Sequence, residues 1–335
     1  MRVLEYTGVR SLRWREVPDA RVVDPTDAVV RPVAATTCDL DRAVIAGHTP
    51  FPAPLQLGHE CVAEVVEVGD EVAGLGAGDL VVVPWHISCG TCANCKALAP
   101  SRCLSVPRYA MFGLPLGGSW GGLFSEFVRV PWAAANLVKL PDGADPAAFA
   151  SASDNLTDAY GSVLKGQSHA PGAPLLVFGG TSIGLYACAF ARALSASRVL
   201  YVDRNERRRA IAEGYGAQTA VSADELDQRE FPLTYDASGH PDGLTAALNA
   251  TEPGGHCHSA GIYFAGVKVP TGPMYMNAVT FTTGRPDITP HLPAVLDLVG
   301  GGAVDPLPVF SDHLTFDSLP ETLALLPEKP LVTRG

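Results

Sequence analysis

The stretch CGTCANCKALAPSRC, residues 89–103, sets Cys89, Cys92, Cys95 and Cys103 in the spacing C-x2-C-x2-C-x7-C. Four of the chain's eight cysteines therefore fall within fifteen residues. Two short turns bring three thiolates together and leave a fourth within reach on the same loop, which is enough to close a tetrahedral zinc site. A closed four-cysteine site is structural, because no coordination position remains for a substrate. The alternative is a disulfide pair with two spare thiols, but nothing else in the chain points to export. The cysteine loop identifies a scaffold before it says anything about a reaction.

Around that loop, 335 residues suffice for two domains of ordinary size, each with its own core. Hydrophobic residues make up 47% and charged ones 18%, the balance of a soluble globular protein. The longest apolar runs, Leu80 to Trp85 and Leu175 to Phe178, are strand-length and far short of a membrane span. A formal charge of -11 argues against a nucleic-acid partner, which needs a clustered basic face. Reduced thiols, the lack of a signal-peptide core and the lack of a span lead us to expect a cytoplasmic protein with no membrane partner.

Residues 1–150 read as β-rich. Short runs at Ala28 to Val33, Cys61 to Val68, Leu80 to Trp85 and Phe124 to Val130 are broken by Gly, Pro and Asp turns. Between Pro141 and Lys165 the texture becomes Ala-rich and helical. The run LLVFGGTSIGLYACAFARAL then reads as a buried strand, a glycine turn and a helix, and VLYVD as a second strand ending on an acid. Strand, helix and strand open a parallel, doubly wound sheet. Further alternation follows at Ala217 to Val221, Leu233 to Asp236, Leu244 to Asn249 and His256 to Ile262.

The turn itself is Gly179-Gly180-Thr181-Ser182-Ile183-Gly184. Against G-x-G-x-x-G its first and third glycines fit, while Thr181 takes the second, where glycine lets the backbone approach a pyrophosphate. Context compensates: the turn follows a strand, opens a helix, and precedes Asp203 by 19 residues counted from Gly184. A carboxylate there accepts bonds from an adenosine ribose and repels a 2′-phosphate, so NAD is expected over NADP. Arg204, Arg207, Arg208 and Arg209 act the other way, since guanidinium groups bind phosphate; Arg208 is the one expected to reach the ribose. A plain strand-turn-helix junction is the alternative.

A second set of ligand-type residues lies outside the cysteine loop: Cys38 in TTCDLD, His59 in GHE and Asp154 in ASDNLTDAY. One thiolate, one imidazole and one carboxylate with a fourth position open is the pattern of a catalytic zinc. Each also has an ordinary reading, as a buried small residue, a satisfied core histidine and a helix cap.

Taken together these segments resemble the zinc-dependent medium-chain alcohol dehydrogenases over essentially the whole chain. The resemblance implies an α/β protein: a GroES-like β-rich catalytic domain over 1–150 with a zinc lobe at 89–103, a Rossmann doubly wound parallel-sheet domain over 151–281, and a return to the catalytic domain over 282–335. It implies two zinc ions per chain. Cys38, His59 and Asp154 would hold the catalytic one, with the aspartate at the third position as in the formaldehyde-dehydrogenase-like branch. Asp41 would accept the other ring N–H of His59, and Glu60 would lie beside the metal and exchange with water there. Trp85 would face the carbonyl. Gly179 to Gly184, Asp203, Arg204, Arg208 and Ile262 would contact the cofactor, with Lys329 approaching its phosphates. The active site would fall between the domains, and the protein would form a homodimer or homotetramer.

The implied reaction is hydride transfer between a small alcohol or aldehyde and NAD(H), with zinc as Lewis acid. The family's hydroxyl-to-histidine proton relay is missing, since Leu40 and Ala43 stand at those positions; His48 is the nearest replacement in sequence. Asp158 stands where the family commonly has Thr. Two other readings follow from these departures: an aldehyde dismutase that retains its nucleotide, and a redox-silent protein that binds NAD(H) or a small ligand on the same fold. His256 and His258, flanking Cys257, read as strand residues or as a third metal site. His86, His240, His291 and His313 read as pocket-edge, turn or surface residues.

Overall fold

The computed structural model describes residues 1–226 and 231–334. The chain divides into two compact units, Met1–Thr157 with Pro286–Gly301 and Phe310–Gly335, and Asp158–Arg285 with Gly302–Val309.

The first unit opens with β1 (Arg2–Gly8) and β2 (Ser11–Glu16), an antiparallel pair, and continues through β3 (Ala28–Thr36), helix α1 (Asp39–Ile45) and β4 (Leu55–Gln56). It goes on with β5 (Glu60–Val68), β6 (Leu80–Val83), α2 (Ala93–Lys96), β7 (Val128–Val130), α3 (Ala133–Asn136) and β8 (Val138–Lys139). Valine and alanine dominate β3, β5 and β6, where branched and small side chains pack well on a pleated surface. Val62, Ala63, Val65, Val81, Val82 and Val83 are fully buried. The β3–β5 register shifts between Pro32 and Ala34, where proline has no N–H to give to the ladder. The expected strand at Phe124 to Val130 is shorter, because Phe124 pairs its backbone outside the sheet, donating to Leu57 and accepting from Leu4.

The second unit is built on α4 (Asn155–His169), β9 (Leu175–Phe178), α5 (Ile183–Ala193), β10 (Val199–Val202), α6 (Glu206–Gly214) and β11 (Gln218–Ala220). After them come β12 (Phe231–Asp236), α7 (Pro241–Asn249), β13 (Thr251–Ser259), α8 (Thr271–Met276) and β14 (Thr280–Thr283). All six strands run parallel in the order β11-β10-β9-β12-β13-β14. The order reverses at β9, so the topological switch point lies between the carboxyl ends of β9 and β12. Leu176, Phe178, Leu200, Val202, Phe231, Leu244 and Cys257 form one core cluster on this sheet.

The chain closes with α9 (Leu292–Gly300), β15 (Asp312–Thr315), α10 (Leu319–Leu323) and β16 (Pro330–Thr333). β16 pairs antiparallel with β3 through Leu331 and Thr36, completing a seven-stranded sheet in the first unit. The Arg334 guanidinium fixes this end, donating to the carbonyls of Pro32, Ser125 and Glu126.

The boundaries differ from the expected 150/151 and 281/282. Residues 151–157 stay with the first unit, because Ser151 and Ser153 bond to Glu60 and Cys61. Residues 302–309 go with the second, where the Tyr215 hydroxyl donates to the carbonyl of Asp305. The Ala-rich stretch from Pro141 is helical only from Asn155; before it, Pro146 opens a single 3-10 turn capped by Asp145.

Helix α5 leaves β9 at close quarters, and a Cβ on Gly184 would overlap the carbonyl oxygen of Gly179. Backbone on both sides cannot yield cheaply, so Gly184→Ala is expected to destabilise by about 1–3 kcal/mol, seen as a Tm lowered by several degrees. Gly76→Ala is the control, since its Cβ would meet nothing within 4 Å; its Tm should stay within about a degree of the parent in the same thermal melt.

Candidate metal centres and cofactor turn

Cys38 stands just beyond β3 and caps α1: its Sγ accepts from the Leu40 N–H at 3.1 Å, and its own N–H donates to Asp41 Oδ2 at 3.0 Å. The other oxygen of Asp41 lies 3.4 Å from His59 Nδ1, so one buried carboxylate touches both the cysteine backbone and the imidazole. His59 and Glu60 stand where the chain enters β5, and His59 Nε2 lies 3.5 Å from Asp154 Oδ2. Ligand atoms of Cys38, His59, Glu60 and Asp154 all fall within 4.8 Å of one another.

Three short stitches bring Asp154 there from about a hundred residues away in sequence. Ser153 Oγ accepts from the Cys61 N–H and donates to the Cys61 carbonyl, each at 2.9 Å. Ser151 Oγ donates to Glu60 Oε2 at 2.5 Å, and the Asn155 N–H reaches the same oxygen at 3.4 Å. On the far side the Lys329 ammonium, only 1% exposed, pairs with Glu60 Oε1 at 2.7 Å. Lys329 is therefore not directed at cofactor phosphates. The β16–β3 pairing buries it beside Glu60.

This donor set suits a divalent zinc. Tetrahedral bonds of about 2.0–2.3 Å put donors roughly 3.5 Å apart, and a mixed thiolate, imidazole and carboxylate set is what zinc takes. The electrostatics agree. Burial pushes the Cys38 thiol up to about 12. Burial also opposes a charge on His59, yet Asp41, Cys38 and Asp154 together hold that imidazole well above its usual value. Burial raises Glu60 to about 7 against the pull of Lys329. Acidic groups gathered around one buried imidazole favour a cation among them.

In the lobe, ligand atoms of Cys89, Cys92, Cys95 and Cys103 also lie within 4.8 Å, and all eight cysteines of the chain are free. Backbone N–H groups point at the sulfurs: Thr91 and Cys92 at Cys89, Leu104 at Cys92, and Ser105 at Cys103. Burial opposes ionisation of Cys89, but hydrogen bonds from Ser105, Thr91 and Cys92 bring its thiol down to about 5. Burial and sharing with Cys92 push Cys95 up to about 12. The lobe is anchored at both ends. Buried Asn136 accepts from Ser88 and donates to its carbonyl, and Asp287 accepts from the Ser101 N–H and from Arg102.

At the nucleotide turn, Gly179 and Gly180 take positive φ values of 62° and 98°, and a Cβ on Gly180 would crowd Ala237. Thr181 and Ser182 are buried, and Ser182 precedes the helix opened by Ile183 and Gly184. Asp203 follows β10. Its Oδ1 accepts from the Asn205 N–H at 2.8 Å, and its Oδ2 from Tyr201 at 2.9 Å and Arg208 at 3.1 Å. Arg209 donates to the carbonyls of Asp203 and Arg204, and Arg207 donates to the Pro308 carbonyl. Arg204 is exposed. Ile262 is also exposed, at 56%, in the loop after β13. The strand expected to run to Ile262 ends at Ser259, because Ser259 and Tyr263 both turn their hydroxyls to Asp236.

Other sequence candidates fall away from these clusters. His48 sits in an exposed turn, its N–H on the Ala43 carbonyl at the end of α1. Asp158 accepts from Ser162 one turn along α4. Among the described residues, His256 and His258 join no metal-type group; both share the Thr282 hydroxyl at 2.9 Å. His86 is fully buried against the edge of Trp85, while His240 caps α7 and is exposed. Sequence reasoning passed over Ser151, Ser153 and Tyr201. The period-two spacing of Ser151, Ser153 and Asn155, and a lone hydroxyl in the apolar run VLYV, were the available signals.

Comparison with known proteins agrees with this geometry. Residues 24–142 match the model of the alcohol dehydrogenase GroES-like domain, and residues 182–298 that of the zinc-binding dehydrogenases. A glutathione-independent formaldehyde dehydrogenase of Pseudomonas aeruginosa is 32% identical over 302 residues, 84% of this chain and 74% of that protein. A probable zinc-binding alcohol dehydrogenase of Mycobacterium tuberculosis is 29% identical over 95% of this chain and 83% of its own length. The solved alcohol dehydrogenase from Thermus sp. ATN1 superposes over 100% of both chains with a TM-score of 0.89 and 31% identity. With two metal-type clusters on a GroES-like unit and a parallel nucleotide-type sheet, the chain belongs to the zinc-dependent medium-chain alcohol dehydrogenase family.

Proposed function

We propose that this member of the family is an NAD-dependent oxidoreductase of small alcohols and aldehydes whose catalytic zinc is held by Cys38, His59 and Asp154. The observation that carries the reading is the convergence of those three donors, with Glu60, within 4.8 Å. When bound, zinc supplies Lewis-acid polarisation of a substrate oxygen, and the nicotinamide accepts or returns a hydride. The chain's own residues make that environment. Asp41 orients the His59 ring and fixes the Cys38 backbone. Ser151, Asn155 and Lys329 occupy both oxygens of Glu60, so that carboxylate stands beside the donors already paired. Cys89, Cys92, Cys95 and Cys103 hold the second, structural zinc.

NAD is preferred over NADP on the strength of Asp203, whose carboxylate stands at the end of β10 beside the glycine turn. The Asp154 segment and the similarity to a formaldehyde dehydrogenase support aldehydes as substrates. They also support a second reading, a dismutase that keeps its nucleotide, which would convert aldehyde with no cofactor added. Among the described residues no helix is long and apolar enough to cross a membrane. The working picture is a cytoplasmic homodimer or homotetramer.

Metal analysis should find two zinc ions per chain, with reduced-nicotinamide absorbance changing on addition of alcohols or aldehydes. Tight nucleotide binding without any turnover would instead mark a redox-silent binding protein. Asp154→Asn should lower the zinc content toward one and reduce kcat at least about 100-fold, since a ligand of an open site is lost. Full activity with one zinc would exclude Asp154 as a ligand. Cys95→Ser should lower Tm by about 5–15 °C, because a structural zinc contributes folding free energy. Its folded fraction should keep near-parental kcat, and loss of turnover in a stable Cys95→Ser protein would contradict a purely structural lobe. Asp203→Ala should narrow the gap in kcat/KM between NAD and NADP, and an unchanged ratio would remove Asp203 from cofactor choice.

A further inference from the structure

β10 carries a single polar side-chain atom, the Tyr201 hydroxyl, in the run Val199-Leu200-Tyr201-Val202. Alternation along the strand sends Leu200 and Val202 into the core cluster with Leu176 and Phe178, and Tyr201 to the opposite face. The Tyr201 side chain is fully buried. A buried hydroxyl is costly unless partnered, and this one has a single proton to give and two acceptors in reach, the charged one nearer. It lies 3.0 Å from the carbonyl oxygen of Gly180 in the glycine turn and 2.9 Å from Oδ2 of Asp203. One side chain therefore connects the loop after β9 with the acid after β10.

We propose that Tyr201 is a positioning residue for cofactor selection: its hydroxyl holds the Asp203 carboxylate in the one arrangement that reads an adenosine ribose. The inference rests on the reading of Asp203 as the ribose acceptor. An ionised carboxylate offers about four lone-pair sites. Among the described residues three are occupied: one on Oδ1 by the Asn205 N–H, and two on Oδ2 by Tyr201 and Arg208. The remaining site, on Oδ1, is left for one ribose hydroxyl, and its direction is set by what holds Oδ2. The terminal torsion of aspartate is intrinsically broad. Arg208 reaches Oδ2 from α6 through a long side chain, whereas Tyr201 ties that oxygen to strand β10 itself.

The test uses the full chain and four proteins: the parent, Tyr201→Phe, Asp203→Ala and the double variant. Each is titrated with NAD and with the analogue lacking the adenosine 2′-hydroxyl. Phenylalanine fills the same space, and a thermal melt of Tyr201→Phe checks that the fold is kept. Tyr201→Phe is expected to raise the Kd for NAD about tenfold, the loss of one hydrogen bond to a charged group. It should also shrink the discrimination between NAD and the 2′-deoxy analogue. In the Asp203→Ala background the Tyr201→Phe change should have no further effect, since the hydroxyl acts through the acid. An unchanged Kd in Tyr201→Phe overturns the proposal. So does equal weakening toward both nucleotides, or a Tyr201→Phe loss that persists in full without Asp203. Failure of the parent itself to bind NAD would overturn the NAD-dependent reading, and the role of Tyr201 with it.

Discussion

His59 sits 2% exposed with Asp41 at one ring nitrogen and Asp154 at the other, and much of the first unit is arranged around that imidazole. Burial by itself would favour a neutral ring, so the neighbouring acids must be placed closely to reverse the preference. Close placement requires three chain segments to meet at one point: Cys38 just beyond β3, Glu60 at the start of β5 and Asp154 in the turn before α4. The β3–β5 ladder aligns the first two, pairing Thr36 with Glu60. The third has no ladder, and the Ser151 and Ser153 hydroxyls take its place.

That arrangement makes Glu60 a junction rather than a spare acid. A carboxylate with no exposure would be costly if left ionised and alone. Here the Lys329 ammonium meets one oxygen and the Ser151 hydroxyl the other, from positions 269 and 91 residues away in sequence. The C-terminal strand β16 is thus part of the site's support as well as of the sheet. It explains why residues after 310 belong with the N-terminal unit.

The second unit solves a different problem, which is to turn the chain sharply at the carboxyl ends of parallel strands while keeping those ends fixed. Gly184 lets α5 start directly on β9, and positive φ at Gly179 and Gly180 turns the chain out of the sheet. Tyr201 and Arg209 then hold the segment that follows β10, one through the Asp203 carboxylate and the other through the carbonyls of Asp203 and Arg204. The Asp203 carboxylate is also paired with the Arg208 guanidinium at 3.1 Å.

Much of this was legible in the residues taken in order. The cysteine spacing announced the lobe, the glycine turn between apolar runs announced the parallel sheet, and Cys38, His59 and Asp154 stood out by ligand type. These are local signals, since turns, strand periodicity and ligand spacing are properties of short segments. The family resemblance, not spacing, joined the three scattered ligands into one site. What the sequence could not display was anything dependent on long-range pairing. Lys329 reads locally as a phosphate contact, whereas the β16–β3 pairing sets it on Glu60, and the roles of Ser151 and Ser153 exist only against β5. Ile262 read as the end of a strand that Asp236 in fact terminates earlier, through Ser259 and Tyr263. The sequence by itself determined the elements and the donor types, because those follow from local chemistry. Only the tertiary structure decided which acid faces which base, because burial and distance are set by segments that are remote along the chain.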